Sequence, residues 1–211
     1  LLTALAVLPP AAWSQATEAQ VAQHYAAIVS ASYGDTLHAA RHLQATVHRF
    51  VAHPSETGLQ QARRAWLDAR NWYGQTEAYR YYAGPIDGRD GPEPRINSWP
   101  VDESYIDAVR GRPDSGIIND PGVVISEREL IRLNTRGGQE NVATGWHAIE
   151  FLLWGQDFDP NGPGSRPFTD FVDGQAPHAD RRRLYLLIVT DLLVRDLEWV
   201  AQAWAPGRTN Y

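Results

Sequence analysis

The chain has 211 residues, 43% of them hydrophobic and 8 of them Trp, which is ample for one packed core. Its net charge of −6 argues against nucleic acid as a main partner, because phosphate binding needs clustered Lys and Arg. With no cysteine, disulfides, thiolate metal sites, cysteine catalysis and a lipoprotein anchor are all excluded.

The opening run Leu1-Leu2-Thr3-Ala4-Leu5-Ala6-Val7-Leu8 is apolar and is followed by Pro9-Pro10 and by the small residues Ser14 and Ala16. This pattern predicts the remnant of a secretory signal, residues 1–16, lacking its basic start and cleaved after Ala16. With Leu1 first and no methionine anywhere, the sequence is expected to be preceded by further residues in the natural protein. Elsewhere no apolar run reaches the roughly 20 residues of a transmembrane helix. The mature chain, residues 17–211, is expected to be exported to the periplasm.

From 17 to about 51, Val21, Tyr25, Ile28, Tyr33, Leu37, Leu43, Val47 and Phe50 recur at helical spacing, with Gly34 as a soft spot. Pro54 ends this helix, and Ser55-Glu56-Thr57 starts a second that runs to about residue 82, where Gly84-Pro85 stops it. Residues 84–98 read as a loop. Two short helices follow near 101–109 and 126–133, and a helix from about 139 to 154 comes after Gly137-Gly138. The last helix follows Pro177 and runs to about Trp204, beginning with Arg181-Arg182-Arg183, which reads as a solvated helix start. Four long helices without a convincing strand predict an all-α, antiparallel four-helix-bundle-like domain. Its connections at 84–98, 110–125 and 155–176 are long and irregular.

Chemistry concentrates in Gly145-Trp146-His147-Ala148-Ile149-Glu150. His147 and Glu150, three apart on one helix face, can hold one ion or one proton together. The flanking Phe151-Leu152-Leu153-Trp154 is apolar all round, so Glu150 is expected to be drawn out of water and to need a partner. With 7 His and 10 Glu, composition alone yields roughly 0.3 such matches, so context must carry the assignment. H-E-x-x-H is absent, and H-x-x-E-H fails because Phe151 stands where a second His would be needed. A third metal ligand must then come from elsewhere, and Asp102, Asp157 and Glu77 are the candidates, with Arg70 and Arg80 as supporting cations. Each has a plainer role: Asp102 as a helix cap, Asp157 as a turn residue, and Arg70, Glu77 and Arg80 as an ion-pair ladder. His24, His38, His42, His48 and His53 read as surface residues.

Trp146 to Asp157 resembles the G-x-H-x-x-E signature region of the imelysin family. Further segments are similar in order: Ala31 to Leu37, Ala65 to Ala78, Gly84-Pro85-Ile86-Asp87, Arg95-Ile96-Asn97-Ser98-Trp99-Pro100 and Gly162-Pro163-Gly164. The resemblance implies an exported bacterial protein of helical bundles linked to iron uptake, in a family also catalogued among metallopeptidases. It further implies that this chain is the first of two bundles.

Three functions follow as expectations. The first is a periplasmic metal-binding protein for iron uptake, with His147 and Glu150 as ligands of a divalent or ferric ion, iron above all. Its partners would be outer- or inner-membrane iron-transport components. The second is a zinc metallopeptidase with His147 as a ligand and Glu150 as a ligand or as the catalytic general base. The third is a non-catalytic helical module in which His147 and Glu150 form a structural pair.

Overall fold

A computed structural model describes residues 16–208. The predicted leader lies outside them, apart from Ala16. Seven α-helices form: α1 Glu18–Ala52, α2 Glu56–Gln75, α3 Glu93–Ile96, α4 Glu103–Ile106, α5 Glu127–Leu133, α6 Gly145–Trp154 and α7 Ala179–Ala203. No β-strand occurs among the described residues. The fold is all-α.

Local chemistry accounts for the long elements. Thr17 and Gln20 close a reciprocal capping box at the start of α1, and the Ser55 hydroxyl accepts from Gly58 N at the start of α2. Partner pairs fix the directions. Arg41 reaches Glu198 and His48 reaches Asp191, so α1 and α7 run antiparallel. Tyr73 packs on Trp146 while Arg63 donates to Leu153 O, so α2 and α6 also run antiparallel. The four helices thus alternate in direction around a core that includes Tyr33, Leu43 and Phe50, Leu59 and Ala69, Ile149 and Leu152, and Leu193 and Leu197. Burial of these apolar side chains is the main favourable term, at about 25 cal/mol per Å².

The structure departs from the sequence reading at several points. The second α-helix stops at Gln75 and tightens into a 3-10 turn, Thr76–Tyr79, because the Thr76 hydroxyl donates to Tyr73 O and Tyr81 takes positive φ. Segment 84–98, read as a loop, holds α3, and the helix expected at 101–109 shrinks to α4. The motif helix begins at Gly145, six residues later than the start expected just after Gly137-Gly138. The side-chain oxygen of Asn134 accepts from Ala143 N and Thr144 N, satisfying donors that would otherwise have sought helical partners.

The arginine run is the largest correction, because it is not a solvated helix start. Arg181 donates to the carbonyls of Ile117, Ile118, Asp120 and Val123. Arg182 is buried and grips the carboxylate of Asp107 through Nε and Nη2 at 2.7 and 3.0 Å. Arg183 donates to Phe171 O and to Asp173. Arg166 joins the same Asp107 at 3.0 Å and reaches Asp170 at 3.2 Å. Arg63, on α2, donates to the carbonyls of Leu153 and Arg166. These guanidinium groups tie the irregular connections to the bundle, work that backbone ladders would do in a sheet.

Candidate functional site

In α6, seven residues are buried: Gly145, Trp146, Ala148, Ile149, Phe151, Leu152 and Leu153. The other three, His147, Glu150 and Trp154, recur at i, i+3 and i+7, which is one stripe of a helix. That stripe lines an open cavity of about 1230 Å³. The expectation that Glu150 is drawn out of water is therefore corrected. Its side chain is 43% exposed, against 16% for His147, because the apolar surroundings close on the other faces of the helix.

His147 Nδ1 lies 3.0 Å from Glu150 Oε2. Its ring packs against Trp99, with centroids 4.8 Å apart, and Nε2 makes no hydrogen bond within the described residues. The carboxylate orients the ring through one nitrogen, the indole limits its rotation, and the other nitrogen is left for a ligand. Gly145 sets this arrangement. Its φ of +84° and its approach to the Ile96 carbonyl seat the start of α6 directly on the backbone of residues 95–96. Thr144 adds a hydrogen bond from its hydroxyl to Arg95 O.

The far wall carries a chain of charges. Arg80 bonds Glu77 at 2.7 Å and Glu93 at 2.6 Å. Asn97 donates to Glu77 at 3.2 Å and accepts from Arg70 at 3.3 Å. Burial pushes the Glu93 carboxyl above its ordinary value, with Arg80 pulling the other way. Burial works against the charge on Arg80, but Glu93 and Glu77 outweigh it and raise its pKa. Behind this wall, burial pushes the Tyr33 phenol up to about 12 and Tyr73 higher still.

The structure brings His147, Glu150, Glu77, Arg70, Arg80 and Asp157 to one cavity. Asp102 is not part of its wall; its carboxylate caps α4, accepting from Ser104 N and the Ser104 hydroxyl. Asp157 accepts from Asp159 N in a turn, and Glu77 is engaged by Arg80 and Asn97. The expected ion-pair ladder holds only in part: Arg80 joins Glu77 and, unforeseen, Glu93, whereas Arg70 meets the Asn97 amide and no carboxylate among the described residues. His24, His38, His42 and His48 on α1, and His53 at its C-terminal cap, are all exposed. Glu93, Asn97 and Trp99 are wall residues that sequence reasoning did not single out as site residues, and Glu103 stands with them in the wall. Asn97 and Trp99 lay within the segment 95–100 that matched in order, which was the available signal.

The donor set can be tested against a metal. His147 and Glu150 supply one nitrogen and one carboxylate. No group of three or more His, Asp or Glu side chains among the described residues is placed to hold an ion. The described residues therefore do not assemble the three-ligand shell of a catalytic zinc.

The imelysin family model matches residues 29–211, nearly the whole described chain. This chain belongs to the imelysin family. Iron-regulated protein A of Synechococcus elongatus is 27% identical over 127 residues, covering 60% of this imelysin chain and 29% of that protein. A crystal structure described as an iron-regulated protein A precursor from Parabacteroides distasonis matches with a TM-score of 0.57 at 23% identity. The match covers 92% of this chain and 48% of that one. The second likeness supports the fold. This imelysin-family chain spans less than half the length of either relative.

Proposed function

We propose that this chain is a periplasmic imelysin-family protein that binds iron as cargo for uptake, with His147 as a metal donor and Glu150 as the group that orients it. The observation that carries this reading is the 3.0 Å contact of His147 Nδ1 with Glu150 on the one polar stripe of an otherwise buried helix. A metal-binding His commonly donates its second ring N–H to a carboxylate, which fixes tautomer and ring orientation. Neutral His147 with its proton on Nδ1 presents the Nε2 lone pair to the cavity, and imidazole nitrogen suits iron. The iron-regulated name of the relatives supports the choice of metal. The apolar start followed by Ser14 and Ala16 supports export. No helix among the described residues is long and apolar enough to cross a membrane. Transfer of iron would then involve membrane transport components.

As a purely structural tie the i, i+3 pair contributes on the order of 0–1 kcal/mol, because its Glu150 end is open to solvent. A peptidase would need a third donor to complete its zinc shell.

Equilibrium dialysis against Fe²⁺ under anaerobic conditions tests the assignment. His147→Ala is expected to abolish stoichiometric binding. Glu150→Ala is expected to weaken it roughly 10–100-fold, as loss of an orienting partner does. Glu150→Gln still accepts from Nδ1–H and should cost less. Equal binding by wild type and His147→Ala sinks the reading, whereas a Glu150→Gln loss as large as that of His147→Ala would make Glu150 a direct ligand.

A further inference from the structure

The cavity holds more than a bare ion requires. Its volume of about 1230 Å³ exceeds the roughly 300–1,000 Å³ of sites that bind small organic molecules. Yet its protein donors to a metal stop at His147 and Glu150, and no third acid or imidazole converges on them among the described residues.

Two guanidinium groups face this space, and they are not equivalent. Arg80 is neutralised by Glu77 and Glu93. Arg70 has no carboxylate partner among the described residues. It is held by the Asn97 amide at 3.3 Å and lies over the Tyr73 ring, 5.1 Å from its centroid. Tyr73 is fully buried and Arg70 half-buried, so the guanidinium is supported from beneath with donors unspent. A planar fork of N–H groups fits a carboxylate bidentately.

The field of the wall adds selectivity. Glu77, Glu93, Glu103, Glu150 and Asp157 set five carboxylates against the two guanidinium groups. A free polyanion is repelled there, while a polycarboxylate whose charge is offset by a bound cation is not.

Resting on the iron reading above, we infer that iron enters this cavity as a complex with a small polycarboxylate chelator. Arg70 pairs with one chelator carboxylate, and His147 faces the metal. The chelator supplies the coordination that the chain does not.

Dialysis of the intact chain against ferric citrate, with both iron and citrate radiolabelled, tests this inference. Parallel runs use citrate alone and anaerobic Fe²⁺. Wild type is expected to retain iron and citrate together, and to bind metal-free citrate at least about tenfold more weakly. Arg70→Ala should lose roughly tenfold or more in affinity for ferric citrate while keeping its affinity for Fe²⁺. Arg70→Lys, which keeps the charge but not the fork, should fall between them, and melting curves confirm that each variant is folded. Retention of iron without citrate, or undiminished ferric citrate binding by Arg70→Ala, overturns the chelate inference and leaves the iron reading standing. Unchanged Fe²⁺ binding by His147→Ala removes both.

Discussion

Asp107→Asn is expected to lower stability by about 3–5 kcal/mol, the usual cost of removing one partner from a buried ion pair. For a chain of this length that corresponds to a fall in Tm of roughly 10 °C. Asp107 is 1% exposed and serves two buried guanidinium groups, Arg182 and Arg166. With its charge removed, the one carboxylate left to the two cations is that of Asp170, which pairs with Arg166 and is partly exposed, while Arg182 keeps only the carbonyls of Asp170 and Pro177. The pH dependence follows from the same contacts. Burial alone would push the Asp107 carboxyl up, but the Arg182 hydrogen bonds and the two positive charges win, and its pKa falls below the ordinary 3.8. A carboxylate depressed in the folded state stabilises above its unfolded pKa, and this is lost as pH drops through the folded value. The gap in Tm between wild type and Asp107→Asn should therefore be full at neutral pH and narrow only below about pH 4. Thermal melts of both proteins across that range check it, and a gap of less than a degree at pH 7 would show that the network contributes little.

Gly145→Ala should be nearly as damaging, for a different reason. A Cβ at this position would lie 2.3 Å from Ile96 O and 2.6 Å from Arg95 O, both backbone atoms that cannot swing aside. The φ of +84° adds its own penalty of about 1–2 kcal/mol for a residue with a side chain. With about 1–3 kcal/mol for the overpacking, the total reaches roughly 3 kcal/mol. Relief requires the start of α6 to move off residues 95–96, which carries His147 away from Trp99. Iron binding and stability should both fall. Gly34 is the control: it lies within α1 with open space around it, so Gly34→Ala should stabilise by about 0.5–1 kcal/mol. Urea titrations of the two variants should give opposite signs, and a Gly145→Ala protein as stable as wild type would remove the close-approach argument.

These two residues mark where sequence reading reached its limit. Helices α1, α2 and α7 were legible because their apolar period is long and their ends carry chemical signals at Thr17, Pro54, Ser55 and Pro177. The match of ordered segments to the imelysin pattern was likewise legible. The start of α6 was not, because the chain reversal at Gly145 is dictated by a backbone 49 residues away in sequence, as the Thr144–Arg95 bond shows. Asp107 was invisible for a similar reason. It sits between Ile106 and Ala108 in no motif, and its partners are 59 and 75 residues distant. Arg182 was misread because three adjacent arginines look like a solvated run, whereas at this helix start each one points at a different carbonyl or carboxylate. At the site, the local pair His147 and Glu150 was found and its cavity was not. Glu93 and Asn97 meet Arg80, Glu77 and Arg70 only through tertiary folding.

All 19 basic residues of the chain are arginine, and none is lysine. The clamps on the irregular connections are therefore built entirely from guanidinium groups, each a planar fork of five N–H donors. A lysine-held framework would begin to shed charge near pH 10. Burial works against the charge on two of these clamps, Arg63 and Arg166, and Arg63 and Arg181 hold only carbonyls, which acid does not discharge. The chain also offers no side-chain amine to acylating reagents, so coupling to its side chains has to go through other groups, such as its carboxylates.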